Sequence, residues 1–373
     1  MTGQIPMNSA RLASLDVFRG MTIALMILVN NPGSWKYVYA PLRHAKWHGW
    51  TPTDLVFPFF LFIVGVSLSF SLSRRNTQGA GSFQLYFKIF QRSVILFALG
   101  LLLRLIPYFD FSTLRIPGVL QRIAICYLLA SLIFLKTGTK ARILISAGCL
   151  VAYWLILKFI PVPGFGAGVL ELEGNLCGYI DTQLLSGHLY TPNFDPEGIL
   201  STLPALVTTL LGTLAGDWLR FSRSKRLKTF GLFSVGILLT VLGLWLHRFF
   251  PINKQLWTST FVLFTAGAAL LVLGLCYTIV DGLGIKKWAY PFLVFGTNAI
   301  TVYVGSSLMA KMLGIAKVSS GGKAIPIKAY IHEMFLRPVA GDFIGSLLFP
   351  LLLLTFWFFI LWPMYNKRIF IKI

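Results

Sequence analysis

Apolar stretches of roughly membrane length alternate with short polar connections along the whole chain. A helix needs about 20 mostly apolar residues to cross the hydrocarbon core of a bilayer. By this criterion the pattern predicts ten transmembrane helices, at about residues 15–32, 53–73, 87–107, 118–136, 141–160, 199–219, 229–248, 258–280, 289–310 and 342–363. We therefore expect an all-α, polytopic integral membrane protein that forms a single transmembrane domain over residues 1–373.

One predicted connection, residues 161–198, is much longer than the others. Loops of this length without helix or strand pattern are usually functional or disordered. The turn formers in PVPGFGAG and TPNFDPEG favour a defined backbone. This connection is therefore predicted to be an ordered lid.

The distribution of basic residues predicts the orientation. Threading ten spans in order puts five basic segments on one side: Arg74-Arg75, Lys136 to Arg142, Arg220 to Lys228, Lys286-Lys287 and Asn366 to Lys372. The positive-inside tendency makes this side cytoplasmic, together with both termini. The basic stretch 311–337 falls outside in this threading, so either it re-enters the membrane or one boundary is wrong.

Composition excludes an ordinary soluble protein, since 56% of residues are hydrophobic and 12% are charged, and the mean hydropathy is +0.75. The formal net charge of +21 would indicate nucleic-acid binding in a soluble chain. Here the basic residues lie in connections between apolar spans, so we expect a lipid bilayer as partner and no nucleic acid.

The first span and the four cysteines carry no processing or metal signal. Asn-Asn-Pro-Gly-Ser-Trp follows the apolar core of that span without a small-residue cleavage site, so we expect no cleavable signal peptide. The cysteines form no disulfide framework and no CxxC pattern, and the two histidines of HAKWH have no nearby cysteine or acidic ligand. We therefore predict no metal.

Most acidic residues fall on the predicted outer side. They are Asp54, Asp110, Glu171, Glu173, Asp181, Asp195, Glu197, Glu333 and Asp342. Exclusion of basic residues from that side is one explanation. The other is an acidic vestibule that concentrates a cationic ligand while the basic inner face attracts an anionic one.

The connection after the first span collects the residues with the clearest chemical potential. Asn30 lies at the end of that span, and His44 precedes Asp54 by a short turn. A carboxylate that orients an imidazole and an amide that donates to an oxyanion are the partners of an acyl-transfer base. His48 is interpreted as an interfacial residue.

Two further groups place charge within or beside apolar spans. Asp16 and Arg19 are one helical turn apart, so they form an ion pair with each other or Arg19 binds an anion from the cytoplasm. Arg122 lies inside the fourth span with Gln121 beside it. An arginine there must pair, snorkel or line a hydrated cavity.

A series of segments resembles the heparan-α-glucosaminide N-acetyltransferase family, including its bacterial inner-membrane relatives. The segments are LDVFRG, LVNNPG, RHAKWHGWTPTDLVFPFFLFIVG, RIPGVLQRIAICY, GYID, YTPNFDPEGILSTLPAL and GTNAITVYVG, in that order. The long block around His44 is the most specific of them. The resemblance runs from about residue 11 to the last span.

The resemblance implies that acetyl-CoA binds from the cytoplasm and that its acetyl group reaches a glucosamine amine on the far side. His44 matches the catalytic histidine, Asn30 the active-site asparagine and Asp54 the acidic residue after the histidine. We expect Arg19 and Arg122, with Asp16 and Gln121 beside them, to bind the coenzyme. The resemblance also implies a homodimer.

The acceptor and the competing functions stay open. Lysosomal members carry an amino-terminal luminal domain that this sequence does not show, so we expect free glucosamine or a short oligosaccharide as acceptor. His44 acts either as a base or as a transient acetyl carrier. A transporter of an amino sugar is the main alternative function, and a structural membrane subunit explains neither Arg122 nor the His44 block.

Overall fold

The computed structural model describes residues 12–77, 82–320 and 322–371, and these are mainly helical. The helices are α1 (Ala13–Asn30), α2 (Val56–Thr77), α3 (Ser82–Leu105), α4 (Val119–Lys136), α5 (Thr139–Phe159), α6 (Leu176–Leu185), α7 (Thr202–Arg220), α8 (Lys225–Leu246), α9 (Ser259–Cys276), α10 (Tyr290–Thr297), α11 (Ala299–Ile315), α12 (Ile327–Ile331) and α13 (Arg337–Asn366). The side chains of Arg74 and Arg75, and Lys372, which entered the predicted orientation, lie outside the described part.

The predicted class, a helical multi-pass membrane protein, is confirmed. In the part of the chain that is described, eight helices are long and apolar enough to cross a membrane, or nine if the bent pair α10–α11 forms one span. The helix α7 is not among them, yet it is buried along most of its length. A helix at the centre of a bundle contacts other helices instead of lipid, so it tolerates more polar residues. The count of ten spans and the orientation stay predictions.

The ninth predicted span is not a single helix. It is divided into α10 and α11, which are bent by 73° relative to each other, and Asn298 at the break has the non-helical dihedrals φ −121° and ψ 40°. The basic stretch after it forms an antiparallel hairpin, β3 (Lys317–Ser320) with β4 (Lys323–Pro326). The predicted span over 289–310 is therefore divided between two helices instead of being one helix.

The long connection contains regular structure. A two-residue hairpin, β1 (Pro161–Val162) with β2 (Gly166–Ala167), is followed by α6. Asn175 caps α6, because its side-chain oxygen accepts a hydrogen bond from the Gly178 amide at 2.8 Å. Cys177 on this helix is buried against Tyr153 of α5. The connection is thereby attached to the bundle.

Glycine residues let the central helices approach closely. A Cβ on Gly212 of α7 would lie 2.1 Å from the Phe62 carbonyl oxygen of α2, and one on Gly65 of α2 would lie 2.0 Å from the Thr209 carbonyl oxygen of α7. Gly20 of α1 makes the same kind of contact with α10. Small residues at such positions allow backbone contact between membrane helices.

We predict that Gly212→Ala destabilises the protein because its new methyl group must push α2 and α7 apart. Overpacking of this kind costs about 1–3 kcal/mol. Gly148→Ala is the matched control, since nothing lies within 4 Å of a Cβ at Gly148. Thermal unfolding of the purified proteins in detergent should show a lower Tm for Gly212→Ala alone. Equal Tm values for the two variants would contradict the proposed close contact.

Candidate active site

The two ends of α1 define two faces of the bundle. Arg19 lies in the early turns of α1 and Asn30 at its last residue, which places them about 17 Å apart along the helix axis. We call these ends the Arg19 face and the His44 face, because the loop that carries His44 follows Asn30. The candidate residues separate between these two faces.

His44 and Asp54 form a short hydrogen-bonded pair at the His44 face. Asp54 lies in a short 3-10 helix, Pro52–Leu55, that leads into α2 and is preceded by Thr51 as its cap. The distance from His44 Nδ1 to Asp54 Oδ1 is 2.6 Å, and the carboxylate is 1% exposed. The predicted pairing of these two residues is therefore present in the structure.

The donors around Asp54 determine the tautomer of His44. Asp54 Oδ2 accepts hydrogen bonds from the backbone amides of Ala45 and Thr51, both at 3.0 Å. A buried carboxylate surrounded by donors is ionised, so the proton in the short bond belongs to His44 Nδ1. The Nε2 atom of His44 then carries the lone pair, on a ring whose side chain is 41% exposed.

Lys254, in the connection between α8 and α9, is a third member of this cluster that sequence reasoning missed. Its Nζ lies 3.3 Å from Asp54 Oδ1 and 3.0 Å from His44 Nδ1, so the ammonium and the Nδ1–H group lie side by side and both donate to the same carboxylate oxygen. Burial lowers the pKa of Lys254, and the Asp54 carboxylate opposes this effect. The sequence could have drawn attention to Lys254, because it is a basic residue on the face where the positive-inside tendency predicts few basic residues.

The loop that carries His44 is fixed on both sides. Trp47 Nε1 donates to the Leu170 carbonyl of the long connection at 2.8 Å, and the Gly49 amide donates to the Ile252 carbonyl at 2.8 Å. His48 also lies in this loop, 3.2 Å from the side chain of Asn253. These contacts position His44 between the long connection and the segment that carries Lys254.

Asn30 is near this cluster but does not bond to it. It is exposed at the end of α1, and α1 contacts the 3-10 helix that carries Asp54. Within the described residues Asn30 makes no hydrogen bond to His44 or Asp54, and its neighbour Asn31 is buried and donates to the Ile27 carbonyl at 2.9 Å. Its predicted role toward an oxyanion stays a prediction.

A cavity of about 390 Å³ lies inside the bundle toward the Arg19 face, and none of His44, Asp54 and Lys254 lines it. The part of its wall formed by α2 runs from Phe60 to Ser71. Phe60 lies about 10 Å beyond Asp54 along the axis of the 3-10 helix and α2. The apolar residues Phe60 and Ile63 are nearest the His44 face. The polar residues of its wall are Arg19, Ser67, Ser71, Arg92, Thr297 and Tyr303. Along α2, the wall thus begins with apolar residues toward His44 and reaches the hydroxyl groups of Ser67 and Ser71 toward the opposite face.

Arg19 lines this cavity and is held by the predicted ion pair. It donates to Asp16 Oδ1 at 2.9 Å, to Ser67 Oγ at 2.8 Å and to the Gly296 carbonyl at 3.3 Å. The two interpretations of the Asp16 and Arg19 spacing are therefore compatible. Asp16 orients a guanidinium that faces a cavity large enough for a ligand.

Arg92 of α3 is a second cationic residue in the cavity wall, and sequence reasoning missed it. Its guanidinium lies 4.9 Å from the centre of the Tyr127 ring, which also lines the cavity. Arg122 was chosen as a candidate because it is an arginine within a predicted transmembrane span, where charged residues are rare. Arg92 meets the same criterion.

Arg122 and Gln121 do not line this cavity, although their neighbours Leu120 and Ile123 do. Arg122 donates to the Gly198 carbonyl at 3.1 Å and to Ser201 Oγ, and it packs on the Trp257 ring. The orientation of α4 about its own axis therefore directs the Arg122 side chain toward the start of α7. The structure connects it to the long connection instead of to Arg19.

Several of the acidic residues predicted for the outer side are already paired. Arg115 forms ion pairs with both Asp195 and Glu197, and Arg337 pairs with Asp342. Asp54 is occupied by His44 and Lys254. Ion pairing of this kind reduces the free negative charge available to a cationic ligand.

Asp181 of α6 is a different case, because it is buried with one oxygen unpaired. Its Oδ1 accepts a hydrogen bond from the Ile199 amide at 2.8 Å, whereas Oδ2 has no hydrogen-bond partner in the described part of the chain. Burial raises the pKa of Asp181 to about 6. The ionised form is thus poorly accommodated at this position.

The fold and this site define a multi-pass helical membrane protein with an aspartate-oriented histidine at one face and a cavity with cationic walls inside the bundle. Residues 11–249 match the family described as heparan-alpha-glucosaminide N-acetyltransferase, catalytic. The chain belongs to the heparan-alpha-glucosaminide N-acetyltransferase family. The resemblance read from the motifs is thereby confirmed.

Two relatives give the extent of the similarity. The chain is 31% identical over 308 residues to the mouse heparan-alpha-glucosaminide N-acetyltransferase, a match that covers 67% of this chain and 46% of the mouse protein. It is 32% identical over 304 residues to the human protein of the same name, covering 66% of this chain and 45% of that protein. The chain thus matches somewhat less than half the length of these relatives.

We predict that Asp181→Asn stabilises the protein above about pH 6. The carboxyl group titrates near its usual value of 3.8 in the unfolded chain and near 6 in the folded one. The contribution of Asp181 to the free energy of unfolding is therefore most favourable below pH 3.8. It is lost as the pH rises through 6, by about 3 kcal/mol in all. Thermal unfolding should show a larger gain in Tm for Asp181→Asn at pH 8 than at pH 5. A gain that does not depend on pH would refute the buried-carboxylate explanation.

Proposed function

We propose that this protein is a transmembrane N-acetyltransferase. It transfers the acetyl group of cytoplasmic acetyl-CoA to the amino group of a glucosamine-type sugar on the periplasmic side. Membership of the family supports the reaction class. The observation that carries the proposal is the hydrogen-bonded His44 and Asp54 pair at one face, together with a cavity with cationic walls whose lining begins at Phe60, about 10 Å further along α2.

The cavity is the proposed donor site. Coenzyme A is polyanionic, and the cavity offers the guanidinium groups of Arg19 and Arg92 toward the Arg19 face. Asp16 holds Arg19 in position. The apolar part of the wall suits the pantetheine arm and leads toward His44. Arg122 and Gln121 do not line this cavity, and the proposed contribution of Arg122 is to hold α4 against the end of the long connection through the Gly198 carbonyl.

His44 is the proposed catalytic group. Its Nε2 lone pair removes a proton from the amine as the amine attacks the thioester carbonyl and the C–S bond breaks to release the coenzyme A thiolate. Alternatively, Nε2 attacks the thioester itself, releases the thiolate and forms a transient acetyl-histidine, from which the amine takes the acetyl group. Asp54 keeps the Nδ1 proton in place and stabilises the imidazolium formed in either route. Asn30 donates to the developing oxyanion, an interaction whose loss typically costs about a hundred- to a thousandfold in rate.

Only the acetyl group moves between the faces in this scheme. The polyanionic coenzyme stays at the Arg19 face and the amino sugar stays at the His44 face. A neutral acetyl group avoids the cost of moving a charge through a hydrocarbon core about 30 Å thick. The separation of the two candidate groups along α1 fits such a division.

The setting of the reaction is part of the same proposal. We place the protein in the bacterial inner membrane as a homodimer, with free glucosamine or a short glucosamine-terminated saccharide as acceptor. The orientation follows from the basic connections, and the dimer and the acceptor class follow from the family. Trp47, which bonds the long connection to the His44 loop, would lie close to the bound sugar.

A solute transporter is the second candidate, and the broken α10–α11 pair is the observation that favours it. Discontinuous helices are common at the substrate sites of secondary transporters. Proteoliposomes separate the two functions. Accumulation of labelled glucosamine without acetyl-CoA would indicate transport, whereas label retained only as N-acetylglucosamine would indicate the enzyme.

We predict that His44→Ala abolishes acetyl transfer because no other group supplies the Nε2 lone pair. The measurement is transfer of radiolabelled acetyl from acetyl-CoA to glucosamine by detergent-purified protein. His48→Ala is the matched control, since His48 lies in the same loop and is hydrogen-bonded to Asn253 instead of Asp54. Full activity in His44→Ala would refute the catalytic assignment. Inactive wild-type protein that still binds acetyl-CoA would indicate another acceptor.

We predict that Lys254→Met lowers kcat about tenfold or more, because it removes the cation that stabilises the buried Asp54 carboxylate. Lys254→Arg keeps the charge and should restore part of the rate. A positioning role also predicts a shift of the pH–rate profile in Lys254→Met. Unchanged kcat and an unchanged pH profile in that variant would show that Lys254 is only a neighbour of the site.

A further inference from the structure

The segment GTNAITVYVG contains an asparagine that neither the site nor the proposed reaction uses. Asn298 lies at the break between α10 and α11 and is fully buried. Residues on both sides of it, among them Gly296, Thr297 and Ala299, line the cavity. The break in the helix therefore forms part of the cavity wall.

Both polar atoms of the Asn298 side chain bind one short segment of chain. Its Nδ2 donates to the Ile369 carbonyl at 3.1 Å, and its Oδ1 accepts from the Ile371 amide at 3.1 Å. This is the hydrogen-bond pattern that a neighbouring β-strand would offer. Asn298 thus substitutes for a strand partner and holds residues 369–371 against the helix break.

The held segment, which we call the strap (residues 368–371), reaches the cavity. Arg368 adopts a positive φ of 57°, which turns the chain back after the end of α13. Ile371 lines the cavity and is also 50% exposed. Because Ile371 both lines the cavity and is exposed at the protein surface, it lies at the mouth of the cavity. Lys367 and Arg368, two basic residues, directly precede residues 369–371 in the chain.

We propose that the strap closes the mouth of the cavity at the Arg19 face and that Asn298 is the positioning residue that holds it there, so that both determine the affinity for a polyanionic acyl donor. This inference rests on the proposed function. Its occupant is a nucleotide-bearing thioester whose phosphates meet the basic residues of the cavity wall. Loss of the two hydrogen bonds frees the strap and removes part of the site.

The first experiment compares wild type, Asn298→Ala and Tyr290→Phe as full-length purified proteins. Tyr290→Phe is the matched control because Tyr290 also binds the end of α13, through Asn366 at 3.2 Å, without lining the cavity. We expect hydrogen–deuterium exchange of the Ile371 amide to rise about tenfold in Asn298→Ala alone, and its dissociation constant for coenzyme A to rise about tenfold. KM for acetyl-CoA should rise while kcat changes little.

A second pair of variants tests the strap without altering the helix break. Ile371→Glu places a negative charge at the mouth and should weaken coenzyme A binding about tenfold, whereas Ile371→Lys should not weaken it. This pair keeps the inference testable where Asn298→Ala fails to fold.

Each outcome decides between the possibilities. Unchanged exchange in Asn298→Ala would overturn the proposed hold on the strap. Faster exchange with unchanged coenzyme A affinity, or equal affinities in the two Ile371 variants, would overturn the role of the strap in donor binding. Wild-type protein that does not bind coenzyme A at all would overturn the proposed function itself, and this result is distinct because it requires no variant.

Discussion

The buried carboxylate of Asp54 is the group on which the arrangement of the candidate site depends. An ionised carboxylate removed from water costs several kcal/mol unless donors replace its hydration. The backbone amides of Ala45 and Thr51, the imidazole of His44 and the ammonium of Lys254 supply those donors. Three separate segments must therefore converge for Asp54 to be stable, and their convergence places His44 with its Nε2 atom free. The position of His44 thus follows from the hydrogen-bond donors that the buried Asp54 carboxylate requires.

The same requirement explains much of the polar structure elsewhere in the bundle. Asp217 of α7 accepts from Ser69 of α2 at 2.7 Å and pairs with Arg142 of α5, so one buried carboxylate joins three helices. Arg115 joins the start of α4 to two acids of the long connection. Charges in this fold are used mainly to connect elements. The guanidinium groups of Arg19 and Arg92 differ because they face a cavity.

Local patterns predicted the helices and the near neighbours. Each of the ten apolar stretches contains a helix, and the spacing of Asp16 and Arg19 was sufficient for their ion pair because helix geometry fixes residues that are one turn apart. His44 and Asp54 were paired correctly since only a short turn separates them. Relations between distant segments could not be obtained in this way. Lys254 lies far along the chain from His44, and the direction of Arg122 depends on how α4 is rotated about its axis. The partners of Asn298 are residues 369–371, which approach it only in the folded protein.

The contact between Gly20 and α10 has a mechanical consequence. Because no side chain separates the backbones of α1 and α10 at this point, α10 cannot move toward α1 without a backbone clash unless α1 moves with it. A shift of the broken helix is therefore carried along α1 from Arg19 to Asn30. Under the proposed function this helix would link the donor site to the acceptor site, and any coupling between the two would be reciprocal, each ligand changing the free energy of binding of the other by the same amount.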